Sequence, residues 1–245
     1  MSWELIYIFS GLAILPILIF AIIASIRVTT VISHYHHLQV QAASGITAKE
    51  LVERIALENN LHINVEEATD NMGDHYDPRA KTVRLTKKVL NSNSVSALAI
   101  AAHECGHALQ DAENYLPLRL RNLVINISNF SSRLLTPLII ISFIATLFTA
   151  GMALDTMMWV MFGFCVVYGL TAVVSFITLP TEFNASRRGK QMLEAMNLIE
   201  TKEEKRGVNK VLRAAANTYV VSFAMSLVYF LRYLSRFMLI MRDRD

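Results

Sequence analysis

Four long stretches of the chain contain no Asp, Glu, Lys or Arg, and they cover residues 5–26, 134–154, 156–181 and 214–231. Each reaches the roughly 18 to 20 residues that an α-helix needs to cross about 30 Å of hydrocarbon. The pattern predicts a mainly α-helical membrane protein with about four transmembrane helices. The fourth stretch is the shortest, so an interfacial helix is the alternative for it.

The first stretch, residues 5–26, is either a cleaved signal peptide or a retained transmembrane helix. It is longer than a typical h-region, follows no basic n-region, and shows no small-x-small cleavage site before Arg27. We therefore expect a retained helix.

The polar segments between the stretches predict the topology. Residues 27–133 and 182–213 are long, whereas Asp155 alone joins the second and third stretches. These two stretches should form a hairpin that leaves both polar segments on one side of the bilayer. Basic residues near the stretches favour the cytoplasmic side by the positive-inside rule, and they are Arg27, Lys49, Arg54, Arg119, Arg121, Arg133, Arg187, Arg188, Lys190 and Arg213. Four later arginines disagree if the fourth stretch spans: Arg232, Arg236, Arg242 and Arg244.

Two helix starts are visible in the larger polar segment. Thr47 and Glu50 have the spacing of a capping box, which should open a short amphipathic helix. Ser94 or Ser96 can cap a second helix, which we expect over residues 95–112.

The same segment contains two strand signals. Ile63 and Val65 alternate with polar neighbours, and residues 77–81 have the composition of a turn that leads into a strand at 82–85. The polar segments should therefore form a cytoplasmic α+β domain with a small strand hairpin.

Composition narrows the class of protein. Charged residues make up 18% of the chain, against roughly 25% in typical globular proteins, while 53% are hydrophobic and the mean hydropathy is +0.39. Disorder, coiled coil and collagen are therefore excluded. The net charge of +3 is too small to indicate a nucleic-acid partner, and no nucleic-acid motif is present.

The chemistry is concentrated in one motif, His103-Glu104-Cys105-Gly106-His107, on the predicted helix 95–112. Residues four apart lie on one helix face, so both imidazoles can reach one Zn²⁺ ion at about 2.0–2.1 Å. Glu104, one residue round, can act as general base on a zinc-activated water. The motif predicts a zinc site, and a chance match to the pattern is the alternative.

A hydrolytic zinc site needs a third protein ligand and an open position. Asp111 continues the same straight helix and cannot converge with the two histidines. Glu113 could reach the metal only if the chain turned at position 110, where other zinc proteases have a glycine and this chain has Gln110. Asp155 lies at the far end of the membrane hairpin. Glu182 is left, because the third stretch returns it to the side that carries the histidines.

Several segments resemble a known family. Thr181-Glu182-Phe183-Asn184-Ala185-Ser186 is similar to the E-F-x-A-D segment of membrane zinc peptidases of the HtpX and CAAX-prenyl-protease type. The segments DPRAKTVRL (77–85), AAHECGHALQDA (101–112), PLRLR (117–121), LPTEF (179–183) and ASRR (185–188) look like those of the YugP-type bacterial membrane zinc metallopeptidases. This resemblance covers nearly the whole chain.

The resemblance implies a neutral zinc peptidase with a zincin-like catalytic domain. By matching the motifs, His103, His107 and Glu182 would be the zinc ligands and Glu104 the catalytic base. One position departs from the HtpX type, since Ser186 replaces an Asp that orients a zinc-bound histidine. Support for that ring must then come from Ser186, Asn184 or another residue.

Other candidate residues have two interpretations. His75 and Tyr76 could donate a hydrogen bond to the oxyanion of peptide hydrolysis, or they could serve only as turn residues. In related peptidases an edge strand before the zinc helix pairs with the substrate main chain, and residues 82–85 could be that strand.

The remaining features favour structural roles. Cys105 points away from the two histidines and should pack in the core, and residues 34–37 are typical of an interfacial belt. Gly106 should let another helix approach closely. A disulfide between Cys105 and Cys165 is not expected, because Cys165 lies in the middle of a predicted span.

These features predict a multi-pass protein of the inner (plasma) membrane: a zinc-dependent endopeptidase that hydrolyses membrane-associated or misfolded polypeptides, with the lipid bilayer as its other partner. A site-2 type intramembrane protease is disfavoured, because the apolar run at residues 95–102 is too short to bury the site in lipid. The alternative from another class is a non-catalytic membrane module with a structural zinc site that acts in a partner complex. No oligomeric state is predicted.

Overall fold

The computed structural model of the chain describes residues 2–37, 45–69, 72–148 and 154–242. The described residues are mainly helical. In chain order the elements are α1 (Trp3–His37), α2 (Ala48–Glu58), β1 (Asn64–Glu67), β2 (His75–Asp77), β3 (Thr82–Leu85), α3 (Lys87–Leu90), α4 (Val95–Ala112), α5 (Leu116–Phe148), α6 (Leu154–Ala195) and α7 (Lys202–Arg242).

Three helices in the described part of the chain are long and apolar enough to cross a membrane. They are Trp3–His36, Met158–Ala195 and Lys202–Arg242. The first of these contains the first predicted stretch, and the other two cover most or all of the third and fourth.

The second predicted stretch is described only in part. Helix α5 covers residues 134–154 as far as Phe148, and residues 149–153 lie outside the described ranges. A fourth span therefore stays a prediction. The predicted boundary at Asp155 differs from the structure, because α6 begins at Leu154 and Asp155 lies in its first turn.

One compact unit consists of Met1–Ile23, Leu120–Thr178 and Tyr219–Asp245. Large apolar side chains are exposed on it, including Leu12 and Phe176 at 67% and 61%. An extended apolar surface marks a region that contacts lipid or another protein. This unit therefore has the surface expected of a membrane-embedded bundle.

The second compact unit consists of Ala24–Arg119 and Leu179–Thr218. Its core is built from apolar side chains of both segments, for example Leu51, Val83, Leu98, Leu193 and Val211. Burial of this set supplies the main favourable free energy of the polar unit.

The polar unit contains a three-stranded sheet with the order β1-β3-β2. Val83 of β3 is paired with Val65 of the parallel strand β1 on one side and with Tyr76 of the antiparallel strand β2 on the other. A hairpin is present, but it is formed by β2 and β3. The strand predicted at Ile63 and Val65 is β1, which pairs in parallel with β3 and so cannot be its hairpin partner. The turn of the hairpin includes Lys81, which has a φ of 51°.

The sheet order corrects one expectation. Residues 82–85 form the central strand and have partners on both sides, so they cannot be the edge strand that pairs with a substrate. His75 and Tyr76, expected in a turn, lie in β2, which is one of the two edges.

The helix starts follow the local signals. The side chain of Thr47 accepts a hydrogen bond from the backbone N–H of Glu50. The Glu50 carboxylate in turn accepts a hydrogen bond from the backbone N–H of Thr47. Ser94 caps α4 by accepting from Ala97 at 3.2 Å. Helix α4 spans Val95–Ala112, the bounds predicted for it.

Candidate metal centre

Helices α4 and α6 contact one another backbone to backbone at two glycines. A Cβ added to Gly106 of α4 would lie 2.4 Å from the carbonyl oxygen of Ala185 on α6. A Cβ added to Gly189 of α6 would lie 2.6 Å from the carbonyl oxygen of Ala102 on α4. Any larger residue would force the helices apart, so the close approach expected at Gly106 is confirmed, and α6 is the helix that approaches.

This contact brings His103 and His107 of α4 next to Glu182 of α6. One ligand atom from each of the three side chains lies within 4.8 Å of the other two. Oε2 of Glu182 is 3.2 Å from Nε2 of His103 and 3.6 Å from Nε2 of His107. Glu182 is only 2% exposed, so the cluster lies inside the protein.

A buried glutamine determines the tautomer of His107. Nε2 of Gln110 donates to the backbone carbonyl of Thr181 at 2.8 Å and to Oδ1 of Asn184 at 2.9 Å. Because a carbonyl only accepts, the amide oxygen of Gln110 is the atom that faces Nδ1 of His107, at 3.0 Å. His107 therefore carries a proton on Nδ1, and the neutral ring has its lone pair on Nε2, facing Glu182.

Ser186 contacts the other imidazole. Its Oγ lies 3.1 Å from Nδ1 of His103. The hydroxyl oxygen can accept a hydrogen bond from Nδ1–H, and that arrangement leaves Nε2 of the neutral His103 ring as an acceptor. Both rings thus contact a polar group through Nδ1 and present Nε2 to the Glu182 carboxylate.

The donor set fits a zinc ion. Imidazole lone pairs and a carboxylate oxygen repel one another unless a cation lies between them. Two ligands about 2.0–2.1 Å from a tetrahedral Zn²⁺ are roughly 3.4 Å apart, close to the 3.2 and 3.6 Å from Glu182 to His103 and His107. Three protein ligands leave a further coordination position open, which is typical of hydrolytic sites.

The charge of Glu182 is well defined. Burial raises the pKa of its carboxyl group, but hydrogen bonds from His103 and His107 with protonated rings outweigh burial and hold the pKa well below its usual range. A metal ion bound between the three side chains would take the place of these protons. The group is therefore a carboxylate at neutral pH, the form that ligates a metal.

Glu104 lies beside the cluster on α4. It is buried, and its carboxylate accepts from the backbone N–H of Tyr76 on β2. The pKa of Glu104 is raised to about 7, mainly by burial; a positive charge on His103 opposes the rise, and the carboxylates of Glu182 and Asp74 add to it. A cation bound at the cluster would lower this pKa and favour the carboxylate.

The side chains of the two oxyanion candidates, His75 and Tyr76, already make hydrogen bonds to other groups. The Tyr76 hydroxyl donates to Asp111 at 2.7 Å, and Lys81 contacts the same oxygen at 2.6 Å. Nδ1 of His75 donates to the carbonyl of Gly73 at 2.8 Å, so the neutral ring has no proton at Nε2. An oxyanion role for either residue stays a prediction.

Sequence reasoning missed the contacts of Gln110. In the sequence, Gln110 stands where other zinc proteases have a turn glycine, and that pattern gives it no role at the site. Asn184, named as possible support for a histidine, acts through Gln110 and also accepts from Nε of Arg188 at 2.7 Å. Arg188 in turn pairs with Glu113 at 2.6 Å. The available signal was a polar residue three positions after His107, on the face that α4 buries.

The other candidates lie in contacts outside the cluster. Cys105 is fully buried, and burial raises the pKa of its thiol. Nδ1 of His36 lies 3.1 Å from Oγ of Ser94, the cap of α4, and His34 packs edge-on against Tyr35. These contacts agree with structural roles for all of them.

The chain belongs to a metallopeptidase family. Residues 10–238 match the family described as "putative neutral zinc metallopeptidase". A relative in Bacillus subtilis (strain 168), described as "Putative membrane protease YugP", is 39% identical over 208 residues, which is 84% of this chain and 86% of that protein. No solved structure matches the chain. The resemblance stated from the sequence motifs is therefore confirmed.

Proposed function

We propose that this protein is a multi-pass endopeptidase that depends on zinc and cleaves membrane-associated or misfolded polypeptides. The observation that carries the proposal is the convergence of one ring nitrogen from each of His103 and His107 and one carboxylate oxygen of Glu182 within 4.8 Å, next to the buried carboxyl group of Glu104. Family membership supports the peptidase class.

His103, His107 and Glu182 would hold the metal. When bound, zinc polarises a carbonyl oxygen and lowers the pKa of water towards about 7. The protein contributes the orientation of the ligands: Gln110 and Ser186 contact the Nδ1 atoms of the two rings, so Nε2 of each ring is directed at the metal position.

Glu104 would act as the general base and then as the general acid. Its carboxylate accepts a proton from the attacking water and then gives that proton to the nitrogen of the leaving amine. The backbone N–H of Tyr76 is near the carboxylate and favours its charged form. Burial keeps competing solvent away from the group.

The edge strand β2 would bind the substrate main chain. It lies at one side of the sheet, and its central residue, Tyr76, contacts Glu104 through its backbone. Main-chain pairing gives affinity with little dependence on sequence. We therefore propose that cleavage specificity is loose and that access to the site selects substrates.

The proposed setting is the cytoplasmic face of the inner membrane. Residues 27–133 and 182–213 would form the catalytic region, with the apolar stretches as anchors. The excess of basic residues beside the stretches supports this orientation.

Two variants of the full-length, detergent-purified protein test the proposal. Glu104→Gln should lower hydrolysis of a denatured protein that carries a fluorescent label by about 10² to 10⁴-fold. Its zinc content should stay near one ion per chain. Glu182→Gln should lower the zinc content itself. Glu53→Gln is the matched control, because Glu53 is an exposed carboxylate whose partner is Lys49 at 4.0 Å.

The outcomes separate the two classes of function. Retained hydrolysis in Glu104→Gln would exclude Glu104 as the base. Zinc binding without hydrolysis in the unaltered protein would favour the structural zinc module. Unchanged zinc content in Glu182→Gln would refute the third ligand.

A further inference from the structure

A cavity of about 650 Å³ in the polar unit is lined by cationic side chains from three helices. Helix α1 contributes Arg27 and helix α6 contributes Lys190. The others lie on one face of α7, and they are Lys202, Lys205, Arg206, Lys210 and Arg213. No carboxylate lines the cavity among the described residues.

The cations are poorly neutralised. Lys190 lies 3.7 Å from Glu194, whereas the described residues show no ion pair for the other six. Arg206 stands four positions from both Lys202 and Lys210, a spacing at which like charges on a helix destabilise each other. An anion in the cavity would relieve this repulsion.

The cavity lies where two helices change from charged to apolar sequence. Arg27 is the first charged residue after the stretch 5–26, and Arg213 is the last before the stretch 214–231. Asn217, inside the latter stretch, also lines the cavity. For helices that cross a bilayer, this transition marks the level of the lipid headgroups.

Tight packing holds the helices that line the cavity. A Cβ added to Gly207 of α7 would lie 2.8 Å from the ring of Tyr35 on α1 and 2.8 Å from Val95 on α4. The ammonium group of Lys210 lies 5.8 Å from the centroid of the Tyr35 ring. These contacts hold the backbones of α1 and α7 close together beside the cavity.

The cavity is separate from the candidate metal centre. Lys190 follows Glu182 by eight positions on the same helix, which is about 12 Å along its axis. None of the residues that line the cavity belongs to the metal cluster.

We propose that this basic cavity binds the phosphate headgroup of an anionic phospholipid. Phosphodiester oxygens are strong acceptors for the guanidinium and ammonium groups present. The volume is within the range of ligand sites, roughly 300–1,000 Å³, and can hold more than one phosphate. The position at the end of two apolar stretches favours a lipid over a soluble anion.

The test compares lipid binding by the full-length protein in detergent, using native mass spectrometry with dioleoyl-phosphatidylglycerol or neutral dioleoyl-phosphatidylcholine. The pocket variant carries Lys205→Gln, Arg206→Gln and Lys210→Gln. Because each basic residue near an anionic surface contributes roughly a fivefold factor in affinity, phosphatidylglycerol binding should fall by on the order of 100-fold. Phosphatidylcholine has the same phosphodiester, but its choline cation leaves no net charge for the cavity to attract, so it should bind weakly to both proteins.

Two controls separate a specific site from general attraction. The variant Arg79→Gln, Lys87→Gln, Lys88→Gln removes the same charge from exposed positions outside the cavity, and it should bind phosphatidylglycerol normally. An equal loss in this variant would overturn the proposal. The charge-retaining variant Lys205→Arg, Arg206→Lys, Lys210→Arg should also bind normally, and failure there would overturn it too.

A further arm separates a lipid from a soluble anion. Inorganic pyrophosphate is titrated into the protein in nanodiscs made only of phosphatidylcholine. Weak pyrophosphate binding beside preferential phosphatidylglycerol binding is the expected result. Tight pyrophosphate binding that the pocket variant loses, with no preference for phosphatidylglycerol, would refute the lipid assignment.

Discussion

Gly106→Ala adds only one methyl group, but we expect it to perturb the candidate metal centre strongly. Gly106 precedes His107 on α4, and its added Cβ would meet the carbonyl oxygen of Ala185, three residues after Glu182 on α6. On an isolated helix, the change from glycine to alanine stabilises by about 1 kcal/mol. The tertiary contact should reverse that sign.

The structure gives the size of the displacement. The Cβ would lie 2.4 Å from the carbonyl oxygen, whereas carbon and oxygen atoms in such contacts are usually about 3.3 Å apart. The two helices must therefore separate by about 0.9 Å at Gly106. Zinc sites tolerate errors of about 0.2 Å in ligand distance. Glu182 moves with α6, so we expect zinc affinity to fall by about 10 to 100-fold.

Overall stability should change less than zinc affinity. Overpacking costs about 1–3 kcal/mol, and the helix gain of about 1 kcal/mol partly offsets it. Zinc affinity is measured by competition with a chelator, and stability by denaturant unfolding of the metal-free protein. Gly163→Ala is the helical control, because its Cβ would meet only the flexible side chain of Leu138, at 3.1 Å. Zinc affinity within twofold of the unaltered protein in Gly106→Ala would refute the reasoning.

Two further changes test the surroundings of the site. Gln110→Leu removes the acceptor for Nδ1 of His107 and should lower zinc affinity by about 10 to 100-fold; an affinity equal to that of the unaltered protein would contradict the tautomer argument. Asp77 contributes a pH dependence, because a hydrogen bond from Arg84 holds the pKa of its carboxyl group below the usual value. The stability from this contact is present above the unfolded pKa of about 3.9 and is lost as the pH falls through the lowered folded pKa. The difference in unfolding free energy between the unaltered protein and Asp77→Asn should therefore be constant near neutral pH and shrink in acid, and a difference independent of pH would exclude this contribution.

Local signals predicted the local structure well. The capping box at Thr47 and the cap at Ser94 involve groups at most a few residues apart, so their geometry depends on the sequence alone. The bounds of α4 follow from the same kind of signal. The apolar stretches belong in this class too, since the length of an uncharged run determines whether a helix can cross hydrocarbon.

Part of the candidate site was also accessible from the sequence. The spacing of His103 and His107 places them on one helix face, and elimination among the acidic residues led to Glu182. The structure brings these three side chains together. Their predicted roles await the zinc and hydrolysis measurements.

The sequence alone predicted the caps at Thr47 and Ser94, the bounds of α4 and the placement of His103 and His107 on one helix face, because these depend on neighbours along the chain. Tertiary structure decided which strand lies at the edge of the sheet, that Gln110 links His107 to Thr181, and that Gly106 and Gly189 determine the distance between α4 and α6. It also gathered cations from three helices around one cavity. Each of these depends on residues far apart in sequence, whose contacts form only when the whole unit packs, and no local pattern encodes that packing.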